Sequence, residues 1–535
     1  NKALNGNGGA TGSARAYTYY GTFTGNTSSA DGGAIWVSGQ AEINDGTFSS
    51  NEAQNGTGGA VHASTIEIND SQFTSNSAGD GTAGGGAVYT SGLAEVNSST
   101  FSLNNASGFG GAIQAKGVGG YVQVVDSAFT SNESSTDGGA VYGLRVETES
   151  STFVSNRSTL GSGGAISTNG VSTARVYFSD DSFIANYARF FGGAIYTGGD
   201  TSGGSATFQD NYSGLNGGAI ASADVTASYL SFIGNGDDSL GNATTVNGGA
   251  LWLKDGGQVS NTTFYRNAAD EDGGAMYVDS SSALLRLTFV TAHEDSAPRG
   301  STLAIDPAGS FYLDGVVFSG TPSDDRCIDH QSLGSVDLVG SSEYSFATDT
   351  SCGSSDDSIT VATSQGLGFS SPLTTDDTPG LQVLVPDDTS VLINAAPSNL
   401  GGAVNKDQLK QSRLVGSGLT TSGAVQVLLS PTITLNPDDT SVDVGGSASF
   451  RVAASGGTGA LAYQWQSSTD GVTWADIASA DDTTYVIDPV QLSENGLQFR
   501  VRVTDVNSQE SFSSAAVLTV NEPVPPAPPT PIPAG

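Results

Sequence analysis

The chain has 535 residues, enough for about two to four domains, and its 73 glycines coexist with 37% hydrophobic and 8% aromatic residues, so the glycines mark tight turns in a folded chain rather than a disordered linker. A net charge of −36 with only 18 Lys and Arg makes nucleic acid and anionic membrane surfaces poor partners and favours solubility and cation binding. No apolar run approaches the roughly 18 residues of a transmembrane helix. The only methionine is Met276, and the start at Asn1 reads as removal of a secretion signal or as a trimmed chain.

From Gly8 to Ala275 the triplet Gly-Gly-Ala recurs eleven times, beginning at 8, 32, 58, 85, 110, 138, 163, 192, 217, 248 and 273; an Ile, Val, Leu or Met follows ten of these. The gaps of 24 to 31 residues predict one solenoid coil per copy. A second signature, Phe-x-x-Asn, runs from Phe23/Asn26 to Phe264/Asn267 at a nearly fixed place in each coil, and Phe289 is expected to continue the Phe column without its Asn. Short alternating runs such as Ala34-Ile35-Trp36-Val37, Ala41-Glu42-Ile43-Asn44 and Thr47-Phe48, separated by Gly, Ser, Asn and Asp, predict strands too short to be helices. Stacked, they predict a right-handed parallel β-helix about 50 Å long. Phe should lie over Phe inside it, Asn should form a hydrogen-bonded ladder at an inner bend, and the paired glycines should turn a corner, with positive φ, that a Cβ would obstruct.

Two places after each Gly-Gly-Ala, from the second copy on, stand Trp36, His62, Tyr89, Gln114, Tyr142, Ser167, Tyr196, Ala221, Trp252 and Tyr277. Period-two alternation turns this column outward, and through Trp252 an aromatic recurs about every 9.6 Å, on every second coil. Trp36, Tyr89, Tyr142, Tyr196, Trp252 and Tyr277 are therefore the candidate binding stripe, able to stack on sugar rings or on a neighbouring protein; the competing reading has the column covered by a loop or by the later domain.

After Phe289 the Gly-Gly-Ala beat stops, and degenerate coils are expected to about residue 320. Residues 321–430, rich in Ser and Asp, are expected to form a terminal extension covering the last coil. They hold the only cysteines, Cys327 and Cys352, which read as one disulfide and hence an oxidising compartment. Residues 431–521 carry short alternating strands around Trp465, which predicts a β-sandwich with Trp465 in its core; with neither Cys nor Lys, the segment holds no disulfide or Lys–Asn isopeptide bond. Residues 522–535 read as a Pro-rich spacer. The expected fold class is thus all-β, a parallel β-helix followed by an immunoglobulin-like sandwich.

The Gly-Gly-Ala-aliphatic and Phe-x-x-Asn pairing resembles the repeats of chlamydial-type polymorphic outer membrane proteins, which implies a β-helical surface passenger, often adhesive. The segment from Cys327 to Arg413, with Asp407-Gln408 and the later Arg413, is similar to the choice-of-anchor Q region of secreted bacterial β-helix proteins. The Trp465 domain resembles bacterial immunoglobulin-like modules, with Val452 and Val501 where that family's cysteines stand. No autotransporter barrel is expected, so that export route does not carry over.

Catalysis has to be argued from a site. Arg145, Arg157, Arg175, Arg189, Lys254, Arg266 and Arg286 are read at different coil phases with no shared cleft, and His62, His293 and His330 lack a nucleophile motif. No catalytic residue is expected. The acidic pairs Asp180-Asp181, Asp237-Asp238, Asp270-Glu271-Asp272, Asp324-Asp325 and Asp376-Asp377 are candidates for Ca²⁺ but read better as solvated surface; no cofactor is expected. The sequence therefore points to a non-enzymatic extracellular structural or adhesive protein, partnered by a polysaccharide or host surface. Head-to-tail copies of itself are the other expected partner, because Asn1 to Asn7 supply no cap for the first coil. The alternative is a polysaccharide lyase or hydrolase.

Overall fold

The computed structural model describes nearly all of residues 6–320 and 427–522, and between them short stretches, among them 327–329, 345–347, 359–361, 382–386, 406–410 and 419–425. The Pro-rich segment expected after 522 lies outside the described residues. The chain divides into two compact units, residues 1–426 and 427–535.

The first unit is a parallel β-solenoid. Ile35–Val37 pairs in parallel with Thr11–Ser13 and with the strand beginning at Val61; Gln40–Asn44 and Thr47–Ser49 pair in the same way with the coils before and after. As far as Tyr212–Ser213, a two-residue strand closes each coil on a further parallel sheet, as Glu52–Ala53 does against Thr27–Ser28 and Ser77–Ala78. Ile35, Val37, Ala41, Ile43 and Phe48 are buried, while the alternate Trp36, Glu42 and Asn44 point away from the core.

Three left-handed corners bend each coil. Asp45 (φ 52°) and Ser50 (φ 53°) occupy two of them, residue types whose short polar side chains tolerate this conformation. The third is the glycine pair, and its two members are required for different reasons. Gly32 (φ 63°) makes the turn, and a Cβ there would meet the Ile35 carbonyl oxygen at 2.2 Å. Gly33 is not left-handed; its Cβ would strike the Gly59 carbonyl oxygen of the next coil at 2.0 Å. Of the two conditions expected of the pair, positive φ thus belongs to the first glycine and close coil-to-coil approach to the second.

Inside, the Phe rings stack face to face, as in Phe48–Phe73 (centroids 4.7 Å, 3°), from Phe23 to Phe264. Each ladder Asn uses its whole amide. Asn76 Oδ1 accepts from Asn51 N (3.0 Å) and Nδ2 (2.9 Å), and Asn76 Nδ2 donates to Phe48 O and to Asn104 Oδ1. Glycosylation sequons at Asn26 and Asn156 are thereby buried.

Phe289 does not continue the column. Ala292 stands opposite Phe264, and Phe318 opposite Ala292; Phe289 instead takes a left-handed corner position (φ 52°). The Asn ladder explains the register, because it sets Asp295 where its Oδ1 accepts from Asn267 N (2.8 Å) and Nδ2 (2.9 Å). A further coil follows, led by Gly300-Ser301-Thr302-Leu303 and carrying Leu303–Ile305, Ser310–Asp314 and Val317–Ser319. Stacking passes residue 320: Cys327–Asp329 pairs with Leu303–Ile305, Ser345–Ala347 with Val317–Ser319, and Ile359–Val361 with Ser345–Ala347.

The described parts of 383–425 lie along the side of the stack. Leu384 packs with Ile233 and Tyr265, and Gln408 Nε2 donates to Leu230 O (2.6 Å) while its Oε1 accepts from Thr263 Oγ1 (2.6 Å). Arg413, fully buried, donates to the carbonyls of Thr421, Gly423 and Ala424 and to Asn261 Oδ1. Gln408 and Arg413 thus fasten a strap across the coil corners at Asn261 and Phe289.

The second unit is a β-sandwich. Thr440–Asp443 pairs in parallel with Ala516–Asn521, which continues through Gln498–Thr504 to Ala462–Ser468; Ala448–Arg451 pairs with Thr484–Ile487 on a separate sheet. Trp465 is fully buried, donates from Nε1 to Asp482 O (2.8 Å), and packs with Phe450, Tyr485 and Phe499 in one core; Val452 and Val501 are both buried there.

Candidate functional site: the lateral faces of the solenoid

The strand register places the candidate stripe in one column, from Gly12 through Trp36, His62, Tyr89, Gln114, Tyr142, Ser167, Tyr196, Ala221 and Trp252 to Tyr277. It faces away from the core but is not open. Trp36, Tyr89, Tyr142, Tyr196 and Trp252 are half-buried, and Tyr277 is 5% exposed, packed with Ala304 and Trp252. Phe109 and Phe191, each just before a Gly-Gly-Ala, fold over the column: Phe109 lies 4.6 Å from Tyr142, and Phe191 lies 5.8 Å from Tyr196 and 5.9 Å from Trp252. His62 fills the gap between Trp36 and Tyr89, 4.7 Å from the latter, so these rings support one another along the stack. Burial, with Asp137 nearby, pushes the Tyr142 phenol up to about 12.

The outer face of the adjoining sheet is more open, and it corrects the expectation that no basic residues share a cleft. Arg145 and Arg175 sit directly opposite each other on neighbouring coils, followed in the same column by Asp200 and Asp224. Each guanidinium is matched by an acid: Arg145 Nε donates to Glu147 Oε1 (2.7 Å), and Arg175 Nη2 lies 3.1 Å from Asp200 Oδ2. Arg145 also covers the Tyr121 ring (5.0 Å), and the Tyr121 hydroxyl donates to Glu147; burial first and then this bond push the phenol up to about 12.

These side chains border a groove of about 530 Å³ lined by Tyr121, Leu144, Arg145, Glu147, Arg175 and Tyr177. It adjoins a second of about 490 Å³, sharing Tyr177 and Ser202, whose floor is Gly204, Thr226, Ser228, Gln258 and Ser260. Tyr177 is 46% exposed. The register of Tyr177 with Ser202, Thr226 and Gln258, and of Ser179 with Gly204, Ser228 and Ser260, makes the floor of small hydroxyl and amide groups continuous from coil to coil. The columns were legible in the repeat spacing, but the groove was not, since it comes from Gly and Ser replacing larger outward residues on a few coils only.

Of the acidic pairs, Asp180, Asp237, Asp270 and Glu271 are exposed, as solvated surface would be, but Asp181 and Asp272 are not. Asp181 is buried and accepts from Thr148 Oγ1 (2.5 Å), Ser151 N (2.7 Å) and Ser179 N (3.1 Å). It ends a ladder in which Ser71, Ser99, Ser127 and Ser151 each accept from the backbone N–H of the coil before, and burial raises its carboxyl to about 7. Asp272 is buried against Arg299 (2.7 Å). Asp238, Asp324-Asp325 and Asp376-Asp377 lie outside the described residues, as does His330. Among the described residues no three His, Cys, Asp or Glu gather as metal ligands, and no helix is long and apolar enough to cross a membrane. Cys327 is buried and its N–H donates to Ser351 Oγ (3.0 Å); Cys352 lies outside the described residues.

Comparison with known proteins gives short matches. Residues 21–38 match the Chlamydia polymorphic membrane protein repeat, and residues 437–522 match a domain of unknown function, DUF8696. No curated protein matches the chain. Solved structures similar to it include Sidekick-1 immunoglobulin domains 1-5 (22% identity, TM-score 0.15, 19% of this chain and 23% of that one). Also similar are the N-terminal Ig1-2 module of the Drosophila receptor protein tyrosine phosphatase DLAR (20%, 0.15, 18% and 50%) and the titin M10–obscurin-like 1 Ig complex (18%, 0.16, 18% and 100%). Among the described residues the chain is nearly all β, with a β-solenoid, a repeat like that of the Chlamydia polymorphic membrane proteins and a second, β-sandwich unit.

Proposed function

We propose that this is a non-enzymatic extracellular surface protein, adhesive or structural in role, that works through the lateral face of its solenoid. The observation that carries this reading is the in-register outer face from Tyr121 to Ser260, where side chains repeat once per coil beside an open groove. A rigid stack of coils spaces such groups about 4.8 Å apart, which suits an extended partner better than a small molecule. The match of residues 21–38 to the repeat of Chlamydia polymorphic membrane proteins supports the location. Head-to-tail joining of solenoids belongs to the same proposal and is read by sedimentation over a concentration range.

The rival is an enzyme acting on the same kind of polymer. Incubating the full chain with a polysaccharide panel, with and without Ca²⁺, separates the two: no reducing ends or unsaturated products are expected, and their release would overturn the non-enzymatic reading.

A further inference from the structure

We infer that the groove on the outer face of the Tyr121–Ser260 coils is a binding site for an extended, uncharged polysaccharide. The inference rests on the lateral-face reading above and names both the place and the ligand class. Six coils contribute strands to this face, so the groove runs about 24 Å.

Three features select the ligand. Tyr177 presents an exposed ring in the middle of the groove, where the two cavities meet, and a flat apolar ring face suits the C–H face of a sugar. Beyond it the floor is hydroxyl and amide groups, from Ser202, Thr226, Ser228, Gln258 and Ser260, matched to a chain rich in hydroxyls. At the other end, Arg145 with Glu147 and Arg175 with Asp200 place planar donors beside acceptors, while each charge is already neutralised by its partner.

Charge decides between neutral and acidic glycans. A uronate chain entering here would find no spare cation in the groove, would pass Glu147, Asp200 and Asp224, and would approach a protein of net charge −36. Asp224 already has its carboxyl raised, by burial first and by Asp200 second, which shows how crowded with negative charge that edge is. A neutral polymer meets none of this opposition.

The test is affinity electrophoresis of the full chain in gels holding dissolved galactomannan, xyloglucan, mixed-linkage glucan or soluble α-glucan, with polygalacturonate as the acidic arm. Retardation by at least one neutral polymer is expected, none by polygalacturonate, and about a tenfold weaker retardation for Tyr177→Ala. Tyr177 lies on the outer surface, so the variant's thermal melt should match wild type; Ser228→Tyr, which fills the floor without removing a contact from the core, is the second variant and should weaken retardation at least as much. Failure of every neutral polymer, stronger retention by polygalacturonate, or retardation unchanged in both variants would overturn the inference. Surface attachment that survives in both variants would overturn this site while leaving the lateral-face reading standing.

Discussion

The guanidinium of Arg413 lies 3.7 Å above the ring centroid of Phe289, which itself sits at a left-handed corner of the solenoid. Burial of the cation is offset by this ring, by carbonyls of the strap and by Asn261 Oδ1, and Asp407 is close enough to act on its charge. Arg413→Ala should therefore leave several buried acceptors without a donor and cost about 3 kcal/mol in denaturant unfolding. Lys at this position should not rescue it, since an ammonium cannot both stack flat and reach the same acceptors. A cost below about 1 kcal/mol would mean that the strap is incidental to the fold.

The two glycines of each coil give a second prediction. Gly86→Ala would place a Cβ 2.1 Å from the Gly111 carbonyl oxygen of the next coil and should destabilise by at least about 2 kcal/mol. Gly25, outside the pair, has positive φ (62°), but nothing lies within 4 Å of a Cβ there, so Gly25→Asn should stay within about 0.5 kcal/mol of wild type. Thermal melts of the pair check it.

Comparison of these positions shows what the sequence made legible. Periodicity exposed the coils, the Phe stack and the Asn ladder because each repeats with the same residue type. It misassigned Phe289 because Phe is also a plausible core residue three places before Ala292, and only the bond from Asn267 to Asp295 fixes the register. Ala292-His293-Glu294-Asp295, 28 residues after the last Phe-x-x-Asn counted from Asn267 to Asp295, was the available signal. The groove was missed for another reason: Arg145 and Arg175 lie 30 residues apart, and an insertion before Arg175 hides the fact that they share one coil position.

The ladder itself can be reversed chemically. Asn132→Asp would set an acceptor against Phe101 O and Asn156 Oδ1, where Nδ2 now donates at 2.9 Å to each, and should cost at least about 2 kcal/mol at neutral pH. The loss should shrink in acid as the new carboxyl protonates, which a melt series over pH reads directly.

Asp181 gives a pH dependence of the same sign in the native chain. Its carboxyl is raised to about 7 in the folded chain from 3.8, so the native state holds the proton more tightly than the unfolded state. The stability this contributes is complete below the unfolded value, declines as pH rises through the window to about 7, and is flat above it. Asp181→Ser, which restores the residue found at this position on the preceding coils, removes that slope. The melting temperature of the variant relative to wild type should climb between pH 4 and pH 7; parallel profiles would contradict the assignment.

A disulfide between Cys327 and Cys352 is a further expectation, favoured by the bond from Cys327 N to Ser351, the residue before Cys352. Intact mass of the unreduced full chain should fall two hydrogens below the reduced mass, and alkylation of both thiols without reductant would exclude it.

The most direct test of a lateral, non-enzymatic contact face follows capture and polymer length in one experiment. The full chain is immobilised, exposed to each neutral polysaccharide, washed, and the retained polymer is eluted and sized by light scattering after prolonged contact. Retention that depends on Tyr177, with the eluted polymer unchanged in length, is the expected result; progressive shortening of the polymer, or retention of none, would contradict it.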